Sequence, residues 1–383
     1  MYKLNRILFA IALVLAISTF VAAQTKSFIP VEGASLKAKI DAAVAQGRAN
    51  SPGGRFWVAY QFEVRPNVGV DFEIVDGTGT ISVSGDGWSL SSDARYETRE
   101  LGFFQFYEAE LGRFTRAEVY NLRRDHQFSG YPVYWAGKAT NEESLNYLKP
   151  LVDVTPNDVN RLSDRAAFAI ALHDDARVEP LLIEIVRKPL SESVRSRSIY
   201  WLGYTPESQT KNTFLADLVR ATNESMDVRE AALSALGMSR APATLSVLEN
   251  FYETMTNRDM KRRALSGIAR SDNRDGAATY LIRVAQNETD MELRKGAISG
   301  LGRVGGEKSL GALTSTLDSN SDTELQRQAV MAIGRRPREE AVPILIRTAR
   351  NHPKVQIRKI AIQMLGRTGD DRAIGVLNEL LAK

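Results

Sequence analysis

The sequence contains no cysteine and only three histidines among its 383 residues. Without cysteine the chain can form no disulfide, no thiolate nucleophile and no cysteine-ligated metal site. The histidines, His126, His173 and His352, lie far apart in the chain and match no metal-ligand spacing. We therefore expect neither a metal nor another cofactor. Stability must come from the burial of apolar side chains, and a chain of this length can bury a large core.

Long apolar runs are also missing, apart from one near the N-terminus. The run from Ile7 to Ile17 follows Lys3 and Arg6, and a short polar break at Ser18-Thr19 and then Val21-Ala22-Ala23 come after it. This is the pattern of a secretory signal peptide, whereas a membrane-spanning helix needs about 20 apolar residues. We predict a signal peptide of residues 1–23 that is cleaved after Ala23. The mature protein is then periplasmic or secreted and spans no membrane; an uncleaved anchor is the alternative.

A strong excess of one charge is absent as well. The net charge is +4 at pH 7, with −3 in residues 24–155 and +5 in residues 156–383. A dedicated nucleic-acid binder carries a clustered basic excess that is much larger. We therefore expect no nucleic-acid partner.

Apolar residues alternate with period two in much of the segment 55–140. The run Phe56–Val64 is the clearest case and predicts a half-buried strand. Further strands are expected at residues 70–74, 81–83, 103–107 and 114–122. A short edge strand is expected at Tyr131–Trp135, because Pro132 cannot donate to a central ladder. Five or six short strands indicate an antiparallel sheet, closed into a barrel or paired into a sandwich.

The β segment contains one candidate for a ligand groove. It is a set of aromatic residues: Trp57, Trp88, Tyr131, Tyr134 and Trp135. The favoured interpretation is that these residues fill the β core, because aromatics are enriched in strands anyway. Glu108 and Glu110 share a strand face, and we interpret them as solvated rather than catalytic.

A ten-residue motif recurs seven times from Leu162 onward, at spacings of 32 to 34 residues. The copies are LSDRAAFAIA from Leu162, VRSRSIYWLG from Val194, VREAALSALG from Val228, MKRRALSGIA from Met260, LRKGAISGLG from Leu293, LQRQAVMAIG from Leu325 and IRKIAIQMLG from Ile357. Positions one, five, six and nine are apolar or small and fall on one helical face, which we expect to be buried. A second helix follows each copy, so stacked helix pairs would form a solenoid.

The ends of the motif helices also follow a pattern. Position ten is Gly or Ala, and a glycine there would permit a left-handed helix end. Before the sixth copy, Ser321 and Glu324 fit a capping box.

The repeating unit, V/L-R-x-x-A-h-x-x-L-G with h apolar and then a helix of A-h-P-x-L-h type, resembles the HEAT repeat. It is most similar to the short form first described in phycobilisome lyases. The resemblance covers about residues 157–383 and implies a HEAT-like α-solenoid of about seven repeats, and no family is recognised for residues 24–155. Together with the strand pattern, this predicts an α+β chain of two domains, an N-terminal antiparallel β-sheet domain followed by the solenoid. The expected domains are 24–54 (short helix and linker), 55–140 (β domain), 141–156 (bridging helix) and 157–383 (solenoid).

Two enzyme families share this repeat type. Deoxyhypusine hydroxylase-like proteins bind two iron ions through His-Glu pairs, but the histidines here precede Gln127, Asp174 and Pro353. Bilin lyases act on cytoplasmic proteins, whereas this chain begins with an export signal. Neither activity is expected, and no recognisable set of catalytic residues is present.

Two motif positions are rich in bases. Position two is basic in Arg195, Arg229, Lys261, Arg294 and Arg358, where we expect a structural ladder between units. Position three changes from Asp164, Ser196 and Glu230 in the early copies to Arg262, Lys295, Arg327 and Lys359 in the last four. With Arg263 and Arg358 these bases form a stripe, which suits an acidic protein segment, an anionic polysaccharide or a lipid surface. A solvated helix face is the alternative.

The stretch Leu325–Gly369 alone holds ten basic residues against Glu339 and Glu340. Position seven is expected on the concave face. There Tyr200, together with Trp201, is interpreted first as an interdomain contact and second as a binding hot spot.

The sequence therefore favours an exported, non-catalytic scaffold or adaptor that binds a partner protein, one with an acidic surface, through the solenoid. The alternative is an envelope- or carbohydrate-directed enzyme, or its regulatory subunit, with a site in the β domain. The oligomeric state stays open.

Overall fold

The computed structural model describes residues 28–66, 100–108, 113–123, 126, 128–153, 162–239, 241–319 and 321–381. The predicted signal peptide, the strands at 70–74 and 81–83, Trp88 and Glu110 lie outside these residues. The chain divides into two compact units, Met1–Thr205 (unit 1) and Pro206–Lys383 (unit 2). The sheet and the first two motif copies belong to unit 1, and the other five copies belong to unit 2.

A five-stranded sheet with the order β1-β5-β2-β3-β4 forms the core of unit 1. The strands are β1 (Ile29–Pro30), β2 (Arg55–Glu63), β3 (Glu100–Glu108), β4 (Arg113–Asn121) and β5 (Val133–Lys138). The neighbours β2, β3 and β4 are antiparallel, whereas β5 runs parallel to β1 and β2. Among the residues that the structure describes, the strands therefore form one mixed sheet, whereas a purely antiparallel sheet, closed into a barrel or paired into a sandwich, was expected.

The strand β5 lies inside the sheet, so its prediction as an edge strand was wrong. Pro132 precedes β5 and contributes only its carbonyl oxygen, which accepts the Trp57 N–H at 2.9 Å. The sheet therefore loses no hydrogen bond through the missing N–H group of proline. The strands β4 and β5 both run parallel to β2 but lie on opposite sides of it in the sheet, so the connection between them is a crossover rather than a hairpin.

The strand β2 is buried on both faces, from Phe56 to Tyr60. On one face Phe56 packs against Gly47, where an added Cβ would clash with the ring. On the other face the ring of Trp57 contacts Phe106 at 4.9 Å between centroids. The alternation that predicted a half-buried strand is therefore lost in its first half, because side chains cover both faces.

The helices of unit 1 are α1 (Leu36–Asn50), α2 (Asn141–Leu151), α3 (Leu162–Leu172), α4 (Val178–Arg187) and α5 (Glu192–Leu202). The predicted first helix and bridging helix are both present, and α1 extends through most of the expected linker to Asn50. The carboxylate of Glu143 accepts the Leu36 N–H at 3.0 Å and also completes a capping box with Thr140. One side chain thus caps α1 and α2, and these hydrogen bonds lower its pKa.

A buried polar chain joins the sheet to α2 and α3. His173 Nδ1 lies 2.7 Å from the Ala169 carbonyl oxygen, and its Nε2 lies 2.8 Å from Ser144 Oγ. Since a carbonyl only accepts, the neutral ring carries its proton on Nδ1, and the Ser144 hydroxyl donates to Nε2. The Tyr60 hydroxyl, 3.0 Å away, then donates to Ser144 Oγ. His173 also stacks on Phe62 at 4.5 Å between ring centroids.

Unit 2 is a solenoid-like stack of helix pairs. Its helices are α6 (Gln209–Arg220), α7 (Met226–Leu236), α8 (Pro242–Thr254), α9 (Arg258–Ile268), α10 (Arg274–Asn287), α11 (Met291–Val304), α12 (Gly306–Ser319), α13 (Thr323–Ile333), α14 (Arg338–Asn351), α15 (Val355–Thr368) and α16 (Asp371–Leu381). The motif helices α7, α9, α11, α13 and α15 pack on one another in sequence order, and each also packs on the second helix before it. No helix in the described part of the chain is long and apolar enough to cross a membrane.

The motif pattern predicts the buried face correctly. Position five is fully buried in all seven copies, including Ser198 where the others have alanine. The capping box at Ser321 is wrong, however. Asp322 is the N-cap of α13, and its carboxylate accepts the N–H groups of Glu324 at 2.8 Å and Leu325 at 3.2 Å.

Acidification should destabilise unit 1 through His173. Burial lowers the pKa of His173 to about 4, whereas an unfolded histidine titrates near about 6.5. The unfolded chain therefore takes up a proton first, and stability present above pH 6.5 is lost as the pH falls towards 4. The expected loss is about 3 kcal/mol, and His173→Gln should flatten this pH dependence.

Urea unfolding between pH 7 and pH 4.5 measures the effect. All four tryptophans lie in unit 1, so their fluorescence reports on that unit. Equal pH slopes for wild type and His173→Gln would show that His173 is not the responsible group.

Candidate binding surface on the motif helices

Position two ties the motif helix to the helix before it in four of the seven copies. The guanidinium Nε atoms donate to backbone carbonyl oxygens: Arg195 to Val186 at 2.8 Å, Arg229 to Val219 at 3.0 Å and Arg294 to Ala285 at 3.0 Å. Gln326 replaces the base in the sixth copy and donates to Leu317 at 2.7 Å. The last carbonyl groups of a helix have no N–H partner within the helix, and the side chain at position two supplies the missing donor. Its role is therefore structural.

The bases at position three are mostly neutralised by acids on their own helix. The pairs are Arg262 with Asp259 at 3.1 Å, Lys295 with Glu292 at 2.6 Å and Arg327 with Glu324 at 3.6 Å. Each acid stands one residue before the motif. The last copy has Gln356 there, so Lys359 has no such acid. The predicted stripe is therefore a face of mixed charge in three of its four repeats.

The two other predicted stripe residues also have partners within the protein. Arg263 contacts the Glu230 carboxylate at 2.5 Å and Ser234 Oγ at 3.0 Å, and both partners belong to the preceding motif helix. Arg358 donates to the carbonyl oxygens of His352 at 2.8 Å and Pro353 at 3.2 Å. Arg358 thus has the structural role of the other position-two residues.

Tyr200 and Trp201 differ in their surroundings. Trp201 is only 4% exposed; it packs on Phe168 at 4.5 Å between ring centroids and donates to Asp164 at 3.0 Å. Tyr200 is 41% exposed, and its hydroxyl lies 2.8 Å from that of Tyr204. The structure therefore gives Trp201 a packing role inside unit 1, and leaves Tyr200 as the accessible member of the pair.

A second basic row lies at position eleven, directly after the motif. It comprises Arg270, Arg303, Arg335 and Arg367. Arg303 donates to Ser266 at 3.4 Å and Arg335 donates to Ser299 at 3.0 Å, in each case a serine at position seven of the preceding copy. Sequence reasoning counted Arg335 and Arg367 among many bases and missed the row, although its spacing of 33, 32 and 32 residues was visible.

Small residues at positions eight and ten let successive motif helices approach closely, and this brings the arginines of the row near one another. A Cβ added to Gly237, at position ten, would lie 2.9 Å from the Cα of Gly267, at position eight of the next copy. A Cβ on Gly302 would likewise lie 2.9 Å from the carbonyl oxygen of Ala332. Gly237 has a right-handed φ of −66°, so the expected left-handed helix end is absent there. Position ten is small because successive motif helices touch at their C-terminal ends, and position eleven follows directly.

The position-eleven row keeps its positive charge. Within the part of the chain that the structure describes, Arg303, Arg335 and Arg367 form no ion pair with a carboxylate. Partial burial and then the charge of Arg335 lower the pKa of Arg303, so these two guanidinium groups face each other without an acid to neutralise them. Helix C-termini contribute only about half a negative charge each. Arg303, Arg335 and Arg367 therefore present cations that no described carboxylate neutralises, with N–H donors to spare for a partner.

In the described part of unit 1, an open groove of about 520 Å³ lies between α1 and the strands β3 and β4. Its lining includes a single carboxylate, Asp41, which pairs with Lys37 at 2.6 Å. Of the aromatic set predicted for a ligand groove, Trp57 and Tyr134 are buried in the core. Glu108 pairs with Arg55 at 3.4 Å. Among the residues the structure describes, no group of three or more acids and histidines is placed to hold a metal ion.

Comparison with known families supports the reading of the repeats. A model of the family described as "HEAT repeats" matches residues 310–383. These residues are HEAT repeats. The resemblance drawn from the seven-copy motif is thereby confirmed, and HEAT-repeat folds typically bind protein partners. No curated protein matches the chain.

Several solved structures are similar in fold. Human deoxyhypusine hydroxylase is 18% identical, with 62% of this chain and 90% of that chain covered and a TM-score of 0.30. The CpcE–CpcF complex of phycocyanin lyase from Nostoc sp. PCC7120 is 17% identical, with 67% and 97% covered and a TM-score of 0.34. Escherichia coli YibA is 20% identical, with 59% and 82% covered and a TM-score of 0.33.

Enlarging a residue at the helix contact should loosen unit 2. In Gly267→Val, the new Cβ would meet Gly237 Cα at 2.8 Å and Leu248 Cδ1 at 2.9 Å. Such overpacking costs about 1–3 kcal/mol. The control is Gly311→Ala in α12, where nothing lies within 4 Å of the new Cβ and helix propensity improves. Urea unfolding followed by circular dichroism should show a lower midpoint for Gly267→Val alone; equal midpoints would refute the close contact.

Proposed function

We propose that the protein is exported, to the periplasm or beyond, and acts as a non-catalytic scaffold or adaptor. It binds a partner protein through the motif-helix face of unit 2, meaning the side chains at positions three, four, seven and eleven of α9, α11, α13 and α15. The observation that carries the proposal is that Arg303, Arg335 and Arg367 of the position-eleven row recur in register and pair with no carboxylate in the part of the chain that the structure describes. Stacked repeats commonly use such extended faces for binding.

Two further features support the proposal. Every side chain of the motif-helix face is at least partly exposed. The position-two bases, which donate to backbone carbonyl oxygens of the preceding helix, are separate from this face. The groove of unit 1, by contrast, offers only Asp41, and acid–base catalysis by two carboxylates needs a pair of them.

Export can be tested on the N-terminal segment alone. Fusing residues 1–30 to a phosphatase that folds only when its disulfides form should give active enzyme, because disulfides form outside the cytoplasm. Leu13→Arg, which places a charge in the apolar run, should abolish that activity. Mass spectrometry of the full-length protein should find Gln24 at the mature N-terminus. An intact chain that starts at Met1 and stays in the cytoplasm would contradict the proposal.

Site-specific photo-cross-linking tests partner binding in the native compartment. A benzophenone amino acid at Gln363, exposed at position seven of α15, should cross-link one partner protein in stoichiometric yield. The matched control places the same group at Glu307, exposed on the second helix α12. Cross-links from neither position, or equally from both, would refute binding through the motif-helix face.

The same assay measures the contribution of position three. Reversal of Arg262, Lys295, Arg327 and Lys359 to Glu makes this edge strongly negative. A partner with an acidic surface should then cross-link about tenfold less. An unchanged yield would remove position three from the binding surface.

A further inference from the structure

Three arginines at position eleven have donors to spare. A guanidinium carries five N–H groups, and among the described contacts Arg303 and Arg335 each use one of them, on a serine. Arg367 has no hydrogen-bond or ion-pair partner in the described part of the chain, because Met331 stands where the preceding copies have serine. All three side chains are exposed. The row therefore holds three cations that the fold itself leaves unneutralised.

We propose that Arg303, Arg335 and Arg367 bind the carboxylates of an extended acidic segment of the partner protein, one carboxylate per repeat. This inference rests on the proposed function and names the chemistry of the partner. A guanidinium and a carboxylate form two parallel charge-assisted hydrogen bonds, which is the strongest fit for such a donor. The serines at position seven hold Arg303 and Arg335 in place, so little side-chain freedom is lost on binding.

The spacing of the row defines the spacing of the acids. Packed helices lie about 8–10 Å apart, and the glycine and alanine contacts at positions eight and ten hold successive motif helices close together. A polyproline II segment rises about 3.1 Å per residue with three residues per turn. Acidic residues at every third position then lie about 9 Å apart on one side of the segment. That arrangement places one carboxylate opposite each arginine.

The surroundings of the row favour a polypeptide over an anionic polysaccharide. Met331 and Ile360, both partly exposed, lie on the same face as the arginines. A methionine and an isoleucine suit the apolar side chains that stand between acids in a protein segment. A hydroxylated sugar chain offers these residues no equivalent partner.

Fluorescence anisotropy with the full mature chain tests the proposal. The probe is a labelled peptide of four Glu-Pro-Pro repeats, which favours the polyproline II conformation. The variant Arg303→Gln/Arg335→Gln/Arg367→Gln removes three positive charges from the row. The control Arg283→Gln/Lys308→Gln/Arg347→Gln removes the same charge from the second helices α10, α12 and α14. Circular dichroism checks that both variants are folded.

We expect the row variant to bind the peptide about tenfold more weakly or worse, and the control to bind as the wild type does. A peptide with Gln in place of Glu should not bind. Equal weakening by both variants, or tighter binding of polygalacturonate than of the peptide, would overturn the proposal. If the peptide fails while Gln363 still cross-links a partner, the acidic segment is wrong but the scaffold function stands.

Discussion

The close approach of successive motif helices is the constraint on which unit 2 depends. Gly237 and Gly267 meet backbone to backbone, and a side chain at either position would push the helices apart. Because interiors pack to crystal density, such a contact fixes the distance and the register between helices. Every residue near the contact inherits that register. The serine at position seven and the arginine at position eleven of the next copy become neighbours for this reason.

The register of the helices places the basic residues in three different surroundings, which a count of charges does not distinguish. The base at position two donates to a backbone carbonyl oxygen of the preceding helix. Gln326 shows that a neutral amide can make the same hydrogen bond. Position three finds an acid one turn earlier on its own helix, as Lys295 does with Glu292. Position eleven lies at the C-terminal end of the motif helix or just past it, and Arg303, Arg335 and Arg367 there pair with no carboxylate in the described part of the chain. These three arginines, with Lys359 at position three, have charge to offer a partner.

The sequence predicted the repeats well because their information is local and is repeated seven times. Burial at position five follows directly from spacing along one helix. The errors arise where distant segments decide the outcome. The parallel pairing of β5 depends on a crossover, and the burial of Trp57 depends on side chains that cover the far face of β2. Neither leaves a periodic trace in the strand itself.

The candidate surface shows the same division. Position three suggests a binding stripe because its residues change from acidic to basic along the chain. The acids that neutralise these bases, such as Glu292 and Glu324, lie one residue before the motif, so the motif alone does not show the pairing. The row at position eleven has an equally regular spacing. It lies one residue past the motif, and the contacts of Arg303 with Ser266 and of Arg335 with Ser299 show that it belongs to the same face. Glycine at position ten is predicted to permit a left-handed helix end, whereas the close contact between successive motif helices explains it.

The acid at position three of the first copy has a physical role within unit 1. Asp164 accepts a hydrogen bond from the indole N–H of Trp201 and lies 3.3 Å from Arg197, so this early acid takes part in packing. The helix that carries it also contacts the sheet, through Arg165 and the buried Glu118 at 3.2 Å. A terminal repeat of a solenoid needs such a cap for its otherwise bare side. The residues of the first copy therefore serve the contact with the sheet, a constraint that the motif helices of unit 2 do not share.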